Sequence, residues 1–153
     1  MRILLVVPTH KYREYPTPLS LSDFPTGFAY LAASLKQAGH EVIGLNCNNK
    51  FGYPSGRIML QDLLQRKIKD SKPDLIATGG IAPDYAFLSD CITLCRSLCD
   101  TLIVLGGQIV TNDAEDICEL LKPDYAIIGE ADRAIVDLCS KIEVEGEKNG
   151  KDC

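Results

Sequence analysis

The sequence predicts an α/β fold in which a parallel β-sheet carries helices on both faces. Five short apolar runs alternate with segments whose apolar residues recur at the helical period. The apolar runs are mostly continuous, which is typical of parallel strands that are buried on both sides. The 153 residues suffice for one domain with a sizeable core and are too few for two.

The elements follow one another as five β–α units. The predicted strands cover residues 2–7, 41–45, 74–79, 101–106 and 125–129, and the predicted helices cover residues 26–38, 57–69, 84–99, 113–122 and 130–142. This alternation predicts a doubly wound, three-layer sandwich. Such sheets commonly have the flavodoxin-like strand order 2-1-3-4-5.

The first helix illustrates the pattern on which these assignments depend. One stripe along it is apolar and consists of Phe28, Leu31, Ala32 and Leu35. Pro25 suits a first helical turn, and Gly39 suits the end of the helix. At the other end of the chain, residues 143–153 are polar and aperiodic. We therefore predict a domain over residues 1–142 and a polar tail or linker after it.

Three cysteines spaced four residues apart, Cys91, Cys95 and Cys99, suggest either an iron–sulfur ligand set or the buried side of a helix. They share one apolar helical face with Leu88 and Ile92, and free cysteine behaves as a small buried hydrophobe. Their spacing also differs from the CxxxCxxC loop of radical S-adenosylmethionine (radical-SAM) enzymes. We predict that all three are buried in a helix and hold no cluster.

Composition and charge argue against several partners and compartments. The net charge is −5 and basic residues form no stripe, whereas nucleic-acid binding needs clustered Lys and Arg. No apolar run reaches the length of a membrane span, and the N-terminal run is too short for a signal peptide. The seven cysteines are odd in number and most fall in apolar patterns. We therefore expect reduced thiols, a cytoplasmic location, no membrane span and no nucleic-acid partner.

The loops at the carboxyl ends of the predicted strands are the candidate ligand site, because parallel sheets bind ligands there. The first loop, residues 8–25, far exceeds the usual length of about two to six residues. The segments TGGIAP (78–83), GGQIVTN (106–112) and GEAD (129–132) carry glycine. Each glycine alone could simply form a turn, but together on one edge they favour a large ligand that approaches the backbone.

Motifs of other proteins with this fold are missing. After the first strand stands VVPTHK instead of a GxGxxG dinucleotide fingerprint, and the loop lacks the hydroxyl-rich phosphate site of flavodoxins. A phosphoreceiver domain needs an acidic pair after strand one and an aspartate after strand three, where Val7-Pro8 and Thr78-Gly79 stand. We find no nucleophile–base pair. Of the two histidines, His40 is expected to be structural, and the role of His10 stays open.

Five blocks together resemble a known family: MRILLVVP, PTGFAYLAASLKQAGHEV, KPDLIATGG, VLGGQIVT and DYAIIGEAD. They resemble the N-terminal cobalamin-binding domain of cobalamin-dependent radical-SAM enzymes, over about residues 1–142. That group includes methyltransferases and the anaerobic magnesium-protoporphyrin ester cyclase type. The resemblance implies that the chain binds cobalamin, is part of a longer protein and does not catalyse by itself. S-adenosylmethionine and an iron–sulfur cluster would belong to a radical-SAM barrel in the same parent chain.

The resemblance also implies the residues that hold the corrinoid. The nucleotide tail would insert between three loops, at Thr9, His10, Thr78, Gly79, Gly80, Gly106, Gly107 and Gln108. Positions nearer the rim would be Pro25, Thr26, Gly27, Gly129 and Glu130.

His10 stands where the DxHxxG fingerprint of other cobalamin proteins has its cobalt ligand. However, Pro8 replaces the aspartate and Arg13 replaces the glycine. A metal-bound imidazole needs such a partner on its other nitrogen. We therefore expect that bound cobalamin has no histidine below the metal.

One alternative from another class stays open. The beginning MRILLVVPTH and the segment YLAASLKQAGHEVIGL also resemble the N-terminal acceptor domain of GT-B glycosyltransferases. The blocks GGQIVT and IIGEAD suit the cobalamin pattern better.

Overall fold

The computed structural model of the chain describes residues 1–9, 12–14 and 25–149. Its strands are β1 (Arg2–Val7), β2 (Glu41–Asn46), β3 (Leu75–Gly79), β4 (Leu102–Gly106) and β5 (Tyr125–Ala126). Its helices are α1 (Thr26–Gln37), α2 (Gly56–Ser71), α3 (Tyr85–Leu98), α4 (Gln108–Asn112), α5 (Ala114–Leu121) and α6 (Ala134–Asn149). A short 3-10 turn at Ala82–Asp84 leads into α3.

The strands form one parallel sheet in the order β2-β1-β3-β4-β5, which confirms the predicted flavodoxin-like order. In the centre of the sheet, Ile3 pairs with Val42 of β2 and with Leu75 of β3. Leu75 pairs in turn with Leu102 of β4. The order reverses between β1 and β3, so the switch point lies between the carboxyl ends of these two strands.

Alternate residues of each strand pack into two separate cores, because successive side chains of a strand point to opposite faces. On one face, Ile3, Leu5, Leu75, Ala77 and Val104 pack with residues of α1 and α6. On the other face, Leu4, Val6, Ile76, Ile103 and Leu105 pack with α2, α3, α4 and α5. The molecule is therefore the three-layer sandwich that the sequence predicts.

The same short motif, Lys-Pro-Asp, starts two of the strands. Lys72 and Lys122 end their helices in the left-handed conformation, and a proline follows each of them. The carboxylate of Asp74 then accepts the N–H of Arg2 at 2.6 Å, and that of Asp124 accepts the N–H of Ile103 at 2.7 Å. Each aspartate thus fixes the register of a new strand against its neighbour.

Three elements differ from the prediction at the carboxyl side of the chain. β5 ends at Ala126 instead of residue 129, although the N–H of Ile127 still donates to Leu105 at 2.9 Å. The loop predicted over 106–112 contains the short helix α4. α6 runs from Ala134 to Asn149, so the predicted end of the helix at residue 142 is wrong. The polar end of α6 lacks the apolar period by which a helix is recognised in a sequence. The domain limit at residue 142 stays a prediction.

The predicted burial of Cys91, Cys95 and Cys99 is correct for the first two of these residues. Cys91 and Cys95 are each 1% exposed on the buried side of α3. Cys99 is partly exposed, because α3 ends at Leu98 and the backbone of Cys99 is extended. Within residues 1–9, 12–14 and 25–149, no three His, Cys, Asp or Glu side chains come together in a way that could hold a metal ion.

The side chain of His40 is 6% exposed at the amino edge of the sheet, and its Nδ1 atom lies 3.3 Å from the amino group of Met1. This contact agrees with the structural role expected for it. Across the described ranges, every helix is too short or too polar to span a membrane.

Candidate functional site

A cavity of about 560 Å³ opens at the carboxyl edge of the sheet, on the face covered by α1 and α6. This volume lies in the range of pockets that enclose a small organic molecule, about 300–1,000 Å³. Nine residues that the sequence predicts as cofactor contacts line it: Gly27, Thr78, Gly79, Gly80, Gly106, Gly107, Gln108, Gly129 and Glu130. The predicted loops after β3, β4 and β5 therefore meet around one space.

The inner wall of the cavity is apolar. Its apolar lining includes Phe28, Leu31, Ala77, Val104, Ile127 and Ile135. The strand residues Ala77 and Val104 are 4% and 2% exposed, so they form a floor beneath the opening. An apolar floor binds a flat ring through burial of its surface rather than through hydrogen bonds.

The apolar stripe of α1 explains why a cavity exists here. Leu35, near the end of the helix, is fully buried against the sheet. Leu31 and Phe28, one and two turns earlier, remain partly exposed although they belong to the same stripe. The first half of α1 thus keeps part of its apolar stripe exposed, and this part lines the cavity. A helix that leaves its apolar face unfilled in this way offers surface to a ligand.

Three glycines are required by contacts between the loops themselves. A Cβ atom on Gly79 would lie 2.5 Å from the carbonyl oxygen of Gly106. A Cβ atom on Gly107, whose φ is +90°, would lie 2.6 Å from the backbone of Gly80. A Cβ atom on Gly80 would clash with the carboxylate of Asp84 and would lie 3.0 Å from its Cβ and Cγ atoms. These glycines let the ends of β3 and β4 pack closely, so close approach to a ligand is not needed to explain them.

Three other glycines leave open space beside the cavity. A Cβ atom on Gly27 or Gly129 would meet no atom within 4 Å, and one on Gly106 would meet only Ile127, at 3.9 Å. Packing within the protein therefore does not require glycine at Gly27 or Gly106. Their missing side chains leave the rim open to a bulky group.

Thr111 connects two loops of the rim. The backbone N–H of Gly129 donates to Thr111 Oγ1 at 2.9 Å, and this hydroxyl donates to the carbonyl oxygen of Gly107 at 3.2 Å. Gly129 has a φ of +78°. One side chain on α4 therefore holds the loop after β5 against the loop after β4.

Polar side chains of the lining lie at the rim, with one exception. Tyr30 is 62% exposed, and Gln108, Glu130 and Asp132 are exposed as well. The exception is Thr78, which is 4% exposed and donates its hydroxyl to the carbonyl oxygen of Val6 at 2.9 Å. The site is therefore apolar inside and polar at its opening.

Three predicted contacts among the described residues do not line the cavity. Thr9 is 8% exposed at the end of β1, and Pro25 and Thr26 precede Gly27 at the start of α1. His10 lies outside the described residues.

The start of the first loop is attached to the opposite face of the sheet from the cavity. The ring of Tyr12 packs edge-on against Phe87 of α3, with the ring centroids 5.3 Å apart. Its hydroxyl donates to Asp90 at 2.8 Å, and Asp90 also pairs with Arg57. Burial, together with the bond to Asp90, raises the pKa of Tyr12. Tyr12 therefore stays protonated and holds residues 12–14 near α2 and α3.

Sequence reasoning missed the apolar walls and Thr111. The apolar stripes of the helices include Phe28, Leu31 and Ile135, but such a stripe does not distinguish residues of the core from residues that line a cavity. The signal that could have found Thr111 is its position, one turn beyond Gly107 in a loop already assigned to the site.

The model of the family described as B12 binding domain matches residues 23–139. This match favours the resemblance to cobalamin-binding domains over the resemblance to the N-terminal acceptor domain of GT-B glycosyltransferases. A comparison with curated proteins gives no match.

Among solved structures, the chain is similar to TsrM from Kitasatospora setae, a radical S-adenosylmethionine methyltransferase with cobalamin and a 4Fe-4S cluster bound. The TM-score is 0.76 at 19% identity, and the likeness covers 94% of this chain and 25% of TsrM. The methanol:cobalamin methyltransferase complex MtaBC from Methanosarcina barkeri is similar with a TM-score of 0.59 at 12% identity. That likeness covers 92% of this chain and 45% of the other. The chain thus spans about a quarter of the TsrM chain.

The N-terminal domain of the nisin resistance regulator NsrR shares the fold as well, with a TM-score of 0.55 at 15% identity. That likeness covers 92% of this chain and 95% of the NsrR domain. At such identities the likenesses show the fold alone. Here β1 is followed by Pro8, and β3 ends at Gly79, so the acidic residues of a phosphoreceiver site are missing at these positions.

Proposed function

Since the chain belongs to the B12-binding domain family, we propose that it binds cobalamin at the carboxyl edge of the sheet. The nucleotide end of the cofactor enters the cavity between α1 and α6, and the corrin ring lies across the rim. Cobalamin is larger than the cavity, so only part of the molecule enters. The ring then covers the loops after β3, β4 and β5.

The unfilled apolar stripe of α1 is the observation that carries the proposal. Phe28 and Leu31 face an apolar floor across a space that no described side chain fills. A planar base inserted there buries surface that is otherwise exposed to water, which stabilises both the ligand and the first half of α1.

The residues of the rim fit a large polar ring. Gly27 and Gly106 leave space where a side chain would block it. Gln108 and Glu130 are exposed beside this space and offer an amide and a carboxylate to the amide groups at the edge of a corrin. Bound cobalamin supplies a cobalt centre that can carry a methyl group or change its redox state. The protein's part is to bind and orient it.

The parent protein and its reaction are part of the proposal. The chain spans 25% of TsrM. We propose that it is the cobalamin-binding part of a longer radical-SAM methyltransferase or cyclase, whose barrel holds S-adenosylmethionine and the iron–sulfur cluster. By itself the chain then binds the cofactor without catalysing the reaction. The free thiols of the described cysteines support a cytoplasmic location.

We further expect that no histidine coordinates the cobalt from below. Tyr12, two residues after His10, is anchored on the opposite face of the sheet from the cavity. Thr9, on the other side of His10, is buried and does not line the cavity. The electron paramagnetic resonance spectrum of bound cob(II)alamin tests this expectation. Nitrogen splitting that is lost in His10→Ala would show it to be wrong.

Titration with hydroxocobalamin, followed by visible spectroscopy and gel filtration, tests the proposed function. Gly27→Leu places a side chain at the mouth of the cavity and also improves the helix propensity at that position. We expect it to weaken binding at least about tenfold, which corresponds to about 1.4 kcal/mol. The matched control is Gly44→Leu, because Gly44 also has open space around its Cβ but lies in β2 away from the cavity.

Wild-type protein that neither changes the spectrum of cobalamin nor elutes with it would contradict the proposal. Equal binding by Gly27→Leu and the wild type would place the cofactor elsewhere.

A further inference from the structure

We propose that the cavity selects corrinoids by the base of their nucleotide, and that it prefers an apolar aromatic base to adenine. This inference rests on the proposed function, because it concerns the part of the corrinoid that enters the cavity. It adds a ligand specificity that the family match does not give.

The chemistry of the cavity floor carries this inference. The deep lining of the described residues consists of aliphatic and aromatic side chains, with Ala77, Val104 and Ile127 all at most 8% exposed. The one buried polar side chain of the lining is Thr78, and its proton is donated to the carbonyl oxygen of Val6. No side chain at this depth therefore offers a donor to the ring nitrogens of adenine.

The backbone around the cavity is also engaged within the protein. The N–H of Gly80 points to the carbonyl oxygen of Gly106 at 3.4 Å, and the carbonyl oxygen of Gly80 accepts the N–H of Ile109 at 3.1 Å. The carbonyl oxygen of Gly107 accepts from Val110 and Thr111. These groups satisfy one another, as the interlocking glycines require, and are therefore not available to a polar base.

An adenine base would lose hydrogen bonds to water on entering this space. Its ring nitrogens would be buried without a side-chain donor, which is unfavourable, whereas a methylated aromatic ring loses nothing comparable. Hydrophobic pockets reject a ligand with an added polar group by about 100-fold at most. We therefore expect a preference of about 10- to 100-fold for the apolar base.

The experiment compares two corrinoids with the wild-type protein. One carries 4-methylphenol as its base and the other carries adenine. Adenine has ring nitrogens that can coordinate cobalt and 4-methylphenol has none, so the cost of detaching adenine is measured from the visible spectrum of the free corrinoid and subtracted. Dissociation constants come from visible titration or calorimetry. At least about tenfold tighter binding of the methylphenol form is expected. Equal affinities, or tighter binding of the adenine form, would overturn the inference.

A third ligand separates this inference from the proposed function. Cobinamide has the corrin ring but no nucleotide, and we expect it to bind more weakly than the methylphenol form. If cobinamide binds equally well, the base does not enter the cavity and the inference fails, while corrinoid binding stands. If none of the three ligands binds, both the proposed function and the inference are wrong.

A variant of the cavity floor tests whether the floor causes the preference for an apolar base. Val104→Thr keeps the shape of the side chain and adds a hydroxyl where the base would lie. The matched control is Val6→Thr, which makes the same change in β1 on the opposite face of the sheet. The preference is expected to shrink at least about threefold in Val104→Thr and to stay unchanged in Val6→Thr. A folded Val104→Thr protein with the wild-type preference would contradict the assignment.

Discussion

Replacing Thr111 by valine removes the hydroxyl that holds two loops of the cavity rim together. The side chain keeps its shape, but the 2.9 Å bond from the Gly129 N–H and the 3.2 Å bond to the Gly107 carbonyl are lost. Thr111 is exposed, so water replaces part of both bonds. We expect the free energy of unfolding to fall by about 1 kcal/mol, the usual net value of a hydrogen bond in proteins.

The effect on cobalamin binding follows from the freedom that the loop gains. Without its bond to Thr111, the backbone at Gly129 and Glu130 must be ordered again when the ligand binds. Ordering the backbone of one residue costs about 1–2 kcal/mol. A cost of about 1.4 kcal/mol weakens binding about tenfold. We therefore expect Thr111→Val to raise the dissociation constant of cobalamin by about five- to tenfold.

Two control variants make this prediction specific. Thr111→Ser keeps the hydroxyl and is expected to bind within about twofold of the wild type. Thr101→Val removes a comparable bond, from Thr101 Oγ1 to the Pro73 carbonyl at 3.2 Å, at the opposite edge of the sheet. It should lower stability similarly and leave binding unchanged. Titration of all three variants gives the answer. If Thr111→Val binds cobalamin as tightly as the wild type, or if Thr101→Val loses as much affinity as Thr111→Val, the reasoning is wrong.

Three further predictions concern stability and the thiols. Lys122 adopts the left-handed conformation with a φ of 50°, which glycine adopts without strain. Lys122→Gly should therefore raise the free energy of unfolding by about 0.5–1 kcal/mol in urea denaturation. A decrease would show that the conformation of Lys122 is not strained. Burial raises the pKa of Cys47 to about 12 and that of Cys139 to about 11. In the unfolded chain these thiols lose their protons from about pH 8.5, whereas in the folded protein they keep them. The free energy of unfolding should therefore fall as the pH rises from about 8.5 towards 11. Cys139→Ala should make this fall in stability less steep. Under native conditions Cys99 should react with a thiol reagent faster than Cys95, as followed by mass spectrometry of peptides, and equal rates would show that α3 does not protect Cys95.

The order of the sheet could be predicted from the sequence because each strand and helix carries its own period. The run ILLVV of β1 and the stripe of α1 have different spacings of apolar residues, and glycine or proline stands between them. The exact ends of elements at the carboxyl side could not be predicted, because β5 leaves the sheet after a few residues and α6 ends in polar turns. Such ends depend on contacts between distant residues rather than on local pattern.

The candidate site could be predicted only at its rim. Glycine at the end of β3 and β4 is visible in a sequence, and the topology brings these ends to one edge. The sequence does not reveal the cavity, because Leu35 is fully buried and Phe28 only partly buried, although both belong to one stripe. The bond between Thr111 and Gly129 joins residues 18 positions apart through the fold, and nothing in the sequence reveals it.

The most direct test of the account is to observe which side chains sense bound cobalamin. Methyl groups of Val104, Ile127 and Ile135 line the cavity, whereas those of Ile103 lie on the opposite face of the sheet. In methyl-labelled protein, nuclear magnetic resonance spectra recorded during titration with diamagnetic cobalamin report each of these groups separately. If cobalamin binds in the cavity, large shifts are expected at the three cavity residues and small ones at Ile103. Binding that leaves the cavity methyl groups unshifted would contradict the account.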